Sequence, residues 1–148
     1  MEGDGERLGP TSARAAQDAA LLVLRVGMAL LMLRHGVPKL LEFGERAPNF
    51  PDPLHVGHTA SLVLAIFGEV FCSLCLVPGL FVRLTAIPFV TTMAVAFVLV
   101  HSGSPFDERE MAFVYLLMGV VVLIGGGGRF SADAWLLPKL RARFGGKA

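Results

Sequence analysis

The chain has 148 residues, of which 54% are hydrophobic, and its formal net charge is +1. That length is about one domain's worth, and the composition is too apolar for an ordinary water-soluble domain. No basic excess is available to form the phosphate-binding face that nucleic acid requires.

The first eighteen residues, MEGDGERLGPTSARAAQD, are polar and mixed in charge, and they lack the basic start of a signal peptide. Residues 1–18 therefore read as a short, disordered cytoplasmic leader. Four apolar windows follow at 19–41, 60–80, 84–100 and 111–126, against a requirement of about 20 residues to cross a hydrocarbon core. They are apolar on all faces, whereas a water-soluble helix keeps a polar one. The expected fold is all-α: an integral membrane four-helix bundle over residues 19–130, with residues 131–148 as an amphipathic basic tail.

In the first window Arg25, Met28, Met32, His35 and Lys39 recur at spacings of three and four, which places them on one helical stripe facing the bundle. Arg34 falls opposite, with a side chain long enough to reach the outer interface or a neighbouring helix. Pro38 cannot donate to the carbonyl of Arg34, and Gly36 loosens the same turn, so a kink is expected there. The loop EFGERAPNFPDPLHVGHT carries His55 and His58. Their spacing suits a metal, but no third ligand is near, and no metal site is assigned.

Glu69 lies near the middle of the second window and is costly there unless paired. Arg25 is the favoured partner, with His35 or Lys39 as alternatives from the outer half of the stripe. Cys72 and Cys75 stand one turn further on. Two roles are open: small apolar packing residues, or a redox pair if Arg25 or His35 stabilises a thiolate.

The segment VPGLFVRL is a tight inner turn in which Pro78 and Gly79 stop one helix and Arg83 anchors the next. Thr91 and Thr92 are expected to bond back onto their own helix after a kink at Pro88. His101 and Glu110 fall at the outer ends of the third and fourth windows, and Tyr115 adds a hydroxyl from the fourth. Arg25, His35, Lys39, Glu69, His101, Glu110 and Tyr115 thus outline a candidate polar pocket opening outward. The alternative is a set of ion pairs that fix helix order without any ligand.

The run GGGGRF lacks the Lys-Ser/Thr pair of a phosphate loop and follows a helix, so it reads as a helix end. The tail SADAWLLPKLRARF mixes Trp135, leucines and cations, which suits a segment lying on an inner leaflet. Arg7, Arg14, Arg83, Arg129, Lys139, Arg141, Arg143 and Lys147 fall on one side of the four windows, against mainly Arg46 and Arg109 on the other. By the positive-inside rule both termini are cytoplasmic.

These marks together resemble the DoxX family of small four-helix bacterial membrane proteins over about residues 21–135. They are Arg25, the HG..KL pattern of His35, Gly36, Lys39 and Leu40, and Glu69. They continue through PGLFVR, His101, Glu110 leading into YLLMG, and GGGGRFSAD with Asp133. The family takes its name from a quinone-linked thiosulfate-oxidising complex. The resemblance implies a bacterial inner-membrane protein associated with redox or thiol-stress systems. The cysteine pair is not part of the matching pattern.

Three functions follow as expectations. The first is an accessory subunit of a redox-linked system, its pocket holding a quinone head group or a small anionic sulfur compound, with His35 moving protons. The second is a binding or transport module for a small hydrophobic or anionic molecule, which four short helices would perform as a homo-oligomer or with a membrane protein partner. The third is a membrane anchor for a soluble enzyme. No metal set, nucleophile–base pair or cofactor fingerprint marks the chain as an enzyme by itself.

Overall fold

The computed structural model describes residues 10–144. Among them every regular element is helical: α1 (Pro10–Leu41), α2 (His58–Leu76), α3 (Val82–Val100), α4 (Phe106–Gly125) and α5 (Ala132–Phe144). A single helical turn at Phe43–Arg46 and a 3₁₀ turn at Ala47–Asn49 lie between α1 and α2.

The first four helices pack as an antiparallel bundle, with α1 against α2 and α4, and α3 against α2 and α4. Its inside is the core of Met28, Met32, Cys72, Leu76, Val82, Phe89, Met93, Tyr115 and Val122. Its outside is equally apolar: Val23, Leu64, Leu84 and Ile124 are each at least half exposed. An apolar surface on every long helix, with Arg25 and Glu69 buried inside, is the arrangement that lipid favours.

Three helices, α1, α2 and α3, are long and apolar enough to cross a membrane. The fourth, α4, opens on Asp107, Glu108, Arg109 and Glu110 and turns wholly apolar only from Met111. The acidic residues of its first turn face the positive end of the helix dipole. Pro105 and Gly126, the latter at φ +73°, bound this helix on its two sides.

The leader expected to be disordered is helical where it is described. Residues 10–18 continue α1 without a break, because Pro10 suits a helix start and Ala15, Ala16 and Ala19 are strong helix formers. At 32 residues α1 is about 48 Å long, more than a hydrocarbon core of about 30 Å requires, so one end stands clear of it. There Asp18 accepts the amide of Arg129 at 3.1 Å. Residues 1–9 lie outside the described residues. α1 also runs through Pro38 to Leu41 as continuous helix.

Two helices contain a π turn, at Phe67–Phe71 in α2 and Ala96–Val100 in α3. Such turns add a residue to one coil of the helix and frequently mark functional positions.

Candidate functional site: an intramembrane cavity beside an ion pair

The π turn of α2 carries Glu69 towards α1, where it meets Lys39. Lys39 Nζ donates to Glu69 Oε1 at 2.5 Å and to Oε2 at 2.7 Å. The pair forms because the two backbones come close: a Cβ at Gly36 would sit 2.7 Å from Val70 Cγ2 and 2.9 Å from Glu69 Cβ. Only glycine allows α1 to lie so near α2 at this level, one turn below Lys39.

A cavity of about 490 Å³ opens beside the pair, walled by α2, α3 and the loop that follows α1. Lys39, Glu69 and His101 are its ionisable lining residues, and Ser61, Thr91 and Thr92 supply hydroxyls. The remaining wall is apolar, with Phe50, Leu64, Phe67, Ile87 and Val95 prominent. Both π turns border this space, through Phe67 and Glu69 on one side and Ala96 and Val100 on the other. His101 follows the second π turn, and its Nδ1 lies 2.7 Å from the Ala96 carbonyl oxygen. A carbonyl only accepts, so the neutral ring carries its proton on Nδ1 and keeps Nε2 as an acceptor. Thr91 and Thr92 donate to the carbonyls of Ile87 and Pro88, each at 2.9 Å, in the back-bonded form their positions suggested.

Arg25 does not reach Glu69. It is fully buried at the opposite end of the bundle, where its Nη1 donates to the carbonyls of Leu76 and Val77 and its Nη2 to that of Phe130. Fourteen residues of helix separate Arg25 from Lys39, about 21 Å, so one stripe serves two levels. The end of α2 leaves carbonyls without intrahelical partners, and a buried guanidinium with five donors meets them.

The same end holds a clasp that spacing alone did not reveal. Asp133 accepts the amides of Phe81 at 2.6 Å and Val82 at 2.7 Å, capping α3 from a distant part of the chain. In return the amides of Ala132 and Asp133 donate to the carbonyls of Pro78 and Gly79 at 3.0 Å. Gly79, at φ +77°, lies against Arg25, where a Cβ would be 2.5 Å from Nη1. The PGLFVR and GGGGRFSAD segments are thus two halves of one contact.

His35 is also displaced from the cavity. The buried face of α1 is Arg25, Met28, Ala29, Met32 and Gly36, and His35 stands about 100° from Gly36 around the helix. It is exposed and packs edge-on against Tyr115 with ring centroids 5.9 Å apart. Tyr115 is buried between α1 and α4 rather than lining the cavity, and Glu110 is exposed near the start of α4. Of the seven candidates, Lys39, Glu69 and His101 share one cavity and Arg25, His35, Glu110 and Tyr115 do not.

Both cysteines are free thiols. Cys72 is fully buried in the core and Cys75 partly so, and neither lines the cavity. At the start of α2, His58 Nδ1 lies 2.6 Å from the Phe50 carbonyl oxygen, and in the loop before it Asp52 accepts the amides of Val56 and Gly57 and the hydroxyl of Ser61.

Apolar helices around a largely apolar cavity that carries a few polar groups define a helical membrane protein with a small-molecule-sized space at the Lys39–Glu69 end of its bundle. A model of the DoxX family matches residues 20–102, more than half of the chain, and the protein belongs to that family. No curated protein and no solved structure matches the chain.

Proposed function

We propose that this protein is the membrane subunit of a redox-linked system, of the quinone or thiol-stress kind, and that its cavity receives a quinone-type head group. The observation that carries this reading is the Lys39–Glu69 pair set into an otherwise apolar wall. Ligand sites are commonly apolar with a few convergent polar groups. An ammonium has three donors; two are engaged by Glu69, which leaves one for a ring carbonyl. The Nε2 of His101 is an acceptor for a ring hydroxyl.

Charge balance favours this neutral, ring-bearing class over the small anionic sulfur compound. Lys39 already faces a carboxylate, so the cavity offers an anion little net attraction. The family's frequent association with redox systems points the same way. The chain acts as an accessory rather than as an enzyme alone, since its polar groups suit binding and proton exchange.

The bilayer is that of a bacterial inner membrane, with both termini cytoplasmic. Arg14, Arg83, Arg129 and Lys139 gather at the end of the bundle where Asp18 meets Arg129, and cations collect on the cytoplasmic side. The tail helix α5 lies on that leaflet, Lys139 standing 3.4 Å over the Trp135 ring.

The test is quinone retention by protein purified into lipid nanodiscs. Wild type is expected to keep a lipid-extractable quinone through washing and to unfold at higher temperature when quinone is added back. Glu69→Gln is expected to lose at least tenfold in affinity. Absence of retained quinone together with no thermal shift overturns the reading.

A further inference from the structure

We propose that the cavity is entered from within the bilayer, between the outer halves of α2 and α3, while residues 50–57 strap it shut on the aqueous side. Its occupant is then a lipid-borne molecule whose apolar tail stays in hydrocarbon. This rests on the quinone reading for the head group, but the route stands on separate observations.

The gap comes from where α2 and α3 touch. At Gly68 the helices are in close contact, since a Cβ there would strike the Thr92 side chain and lie 3.2 Å from the Pro88 carbonyl oxygen. Packing of α2 on α3 is concentrated at Phe67–Phe71 and Cys72–Leu76. Further out, the His58–Ile66 turns of α2 lean instead on α1 and on Ala47–Asn49. The two helices therefore part above Gly68 and leave the cavity between them.

The rim of that gap is both cavity wall and outer surface. Leu64, Phe67 and Ile87 line the cavity and are 52%, 44% and 52% exposed. Where two helices part, a side chain with both properties stands at the gap between them; Pro51 and Leu54 share both properties in the loop that crosses the aqueous end. Leu64 and Phe67 lie six and nine residues inside α2, about 9–14 Å below its outer end, which is hydrocarbon depth. Thr91, also exposed on the rim, has its hydroxyl tied to Ile87, so the opening presents no free polar group from these four residues.

On the aqueous side the loop lies across the cavity. Phe50, Pro51, Pro53 and Leu54 line the cavity from the loop. Asp52 latches that loop through Val56 N at 3.0 Å, Gly57 N at 2.8 Å and Ser61 Oγ at 2.6 Å. His58 holds the Phe50 carbonyl, and prolines at 48, 51 and 53 stiffen the path.

Two benzoquinones with one head group, a decaprenyl form dissolved in nanodisc lipid and a tailless form added from water, test the route. Ile87→Trp should plug the rim and lower occupancy by the decaprenyl form at least tenfold, with the unfolding temperature unchanged. Asp52→Asn should leave that occupancy unchanged and raise uptake of the tailless form at least threefold. If instead Ile87→Trp has no effect and Asp52→Asn controls uptake of both, the ligand enters from water and the route is wrong while the function stands.

Should neither quinone bind, the function fails, and a photoactivatable fatty-acyl lipid still decides the route. Adducts on Ala65 and Val95, inside the cavity, sustain it. Adducts confined to the rim residues Leu64, Phe67 and Ile87 overturn it.

Discussion

Lys39 Nζ bridges both carboxylate oxygens of Glu69, at 2.5 and 2.7 Å, across the seam between α1 and α2. The Glu69 side chain is 6% exposed and that of Lys39 24%. Glu69→Gln should leave an uncompensated ammonium beside the cavity. Removing one partner of a buried pair costs about 3–5 kcal/mol, and the partial exposure of Lys39 puts the expected loss near the lower end. The double variant Lys39→Met with Glu69→Gln should recover most of it. Unfolding midpoints of the three proteins in one detergent check the expectation.

Two glycines of α1 should behave in opposite ways. Gly36→Ala pushes a methyl into Val70 and Glu69 and should cost about 1–3 kcal/mol as overpacking, while weakening the hold of Lys39 on Glu69. At Gly27 nothing lies within 4 Å of a Cβ, so Gly27→Ala should be neutral or stabilise by up to about 1 kcal/mol. Equal effects at the two sites would contradict the close approach of α1 and α2.

Asp133→Ala should cost about 1–2 kcal/mol, the upper range for losing a helix cap, because two amides of the α3 start lose their acceptor. Phe81 sits at φ +47° and depends on that contact to stay there. Arg25→Met should be costlier, leaving the carbonyls of Val77 and Phe130 without a donor and that of Leu76 with the Gly79 amide alone. Since both residues hold the turn at residues 77–82 to residues 130–133, their effects should be non-additive by about 0.5–3 kcal/mol in a double-mutant cycle. Hydrogen exchange at residues 81–85 reports the loss locally.

The Asp52 carboxyl is held below its ordinary value of 3.8, chiefly by the Ser61 hydroxyl; burial opposes this, and the amides of Gly57 and Val56 and the nearby His58 add to the lowering. A depressed folded value means that the latch contributes its full stability above about pH 3.8 and loses it as pH falls through the lower folded value. Hydrogen exchange at residues 52–57 should accelerate only in that acid window, and Ser61→Ala should move the transition to higher pH. Exchange that stays unchanged across that window would count against the latch.

Cys72→Ala with Cys75→Ala should leave quinone binding within twofold of wild type, since neither residue lines the cavity. A large loss of binding would show that the pair shapes the cavity.

Composition and hydropathy carried the membrane class and the helical fold, because length and apolar content are local properties that any bilayer-spanning helix must have; of the four windows, three became helices that meet that requirement. The inward stripe of Arg25, Met28 and Met32 was legible for the same reason: side chains three and four apart share a helical face. Tertiary structure alone decided which polar residue meets which. Helical period gives a residue's direction but not its neighbour's level, so Arg25 and Lys39 look alike on one stripe although only Lys39 stands opposite Glu69. The rotation that turns Gly36 inward and His35 outward comes from close backbone contact with α2. The reach of Asp133 to Phe81 and Val82 spans about fifty residues. Contacts of that kind depend on how helices are stacked, and nothing in the order of neighbouring residues encodes them one at a time.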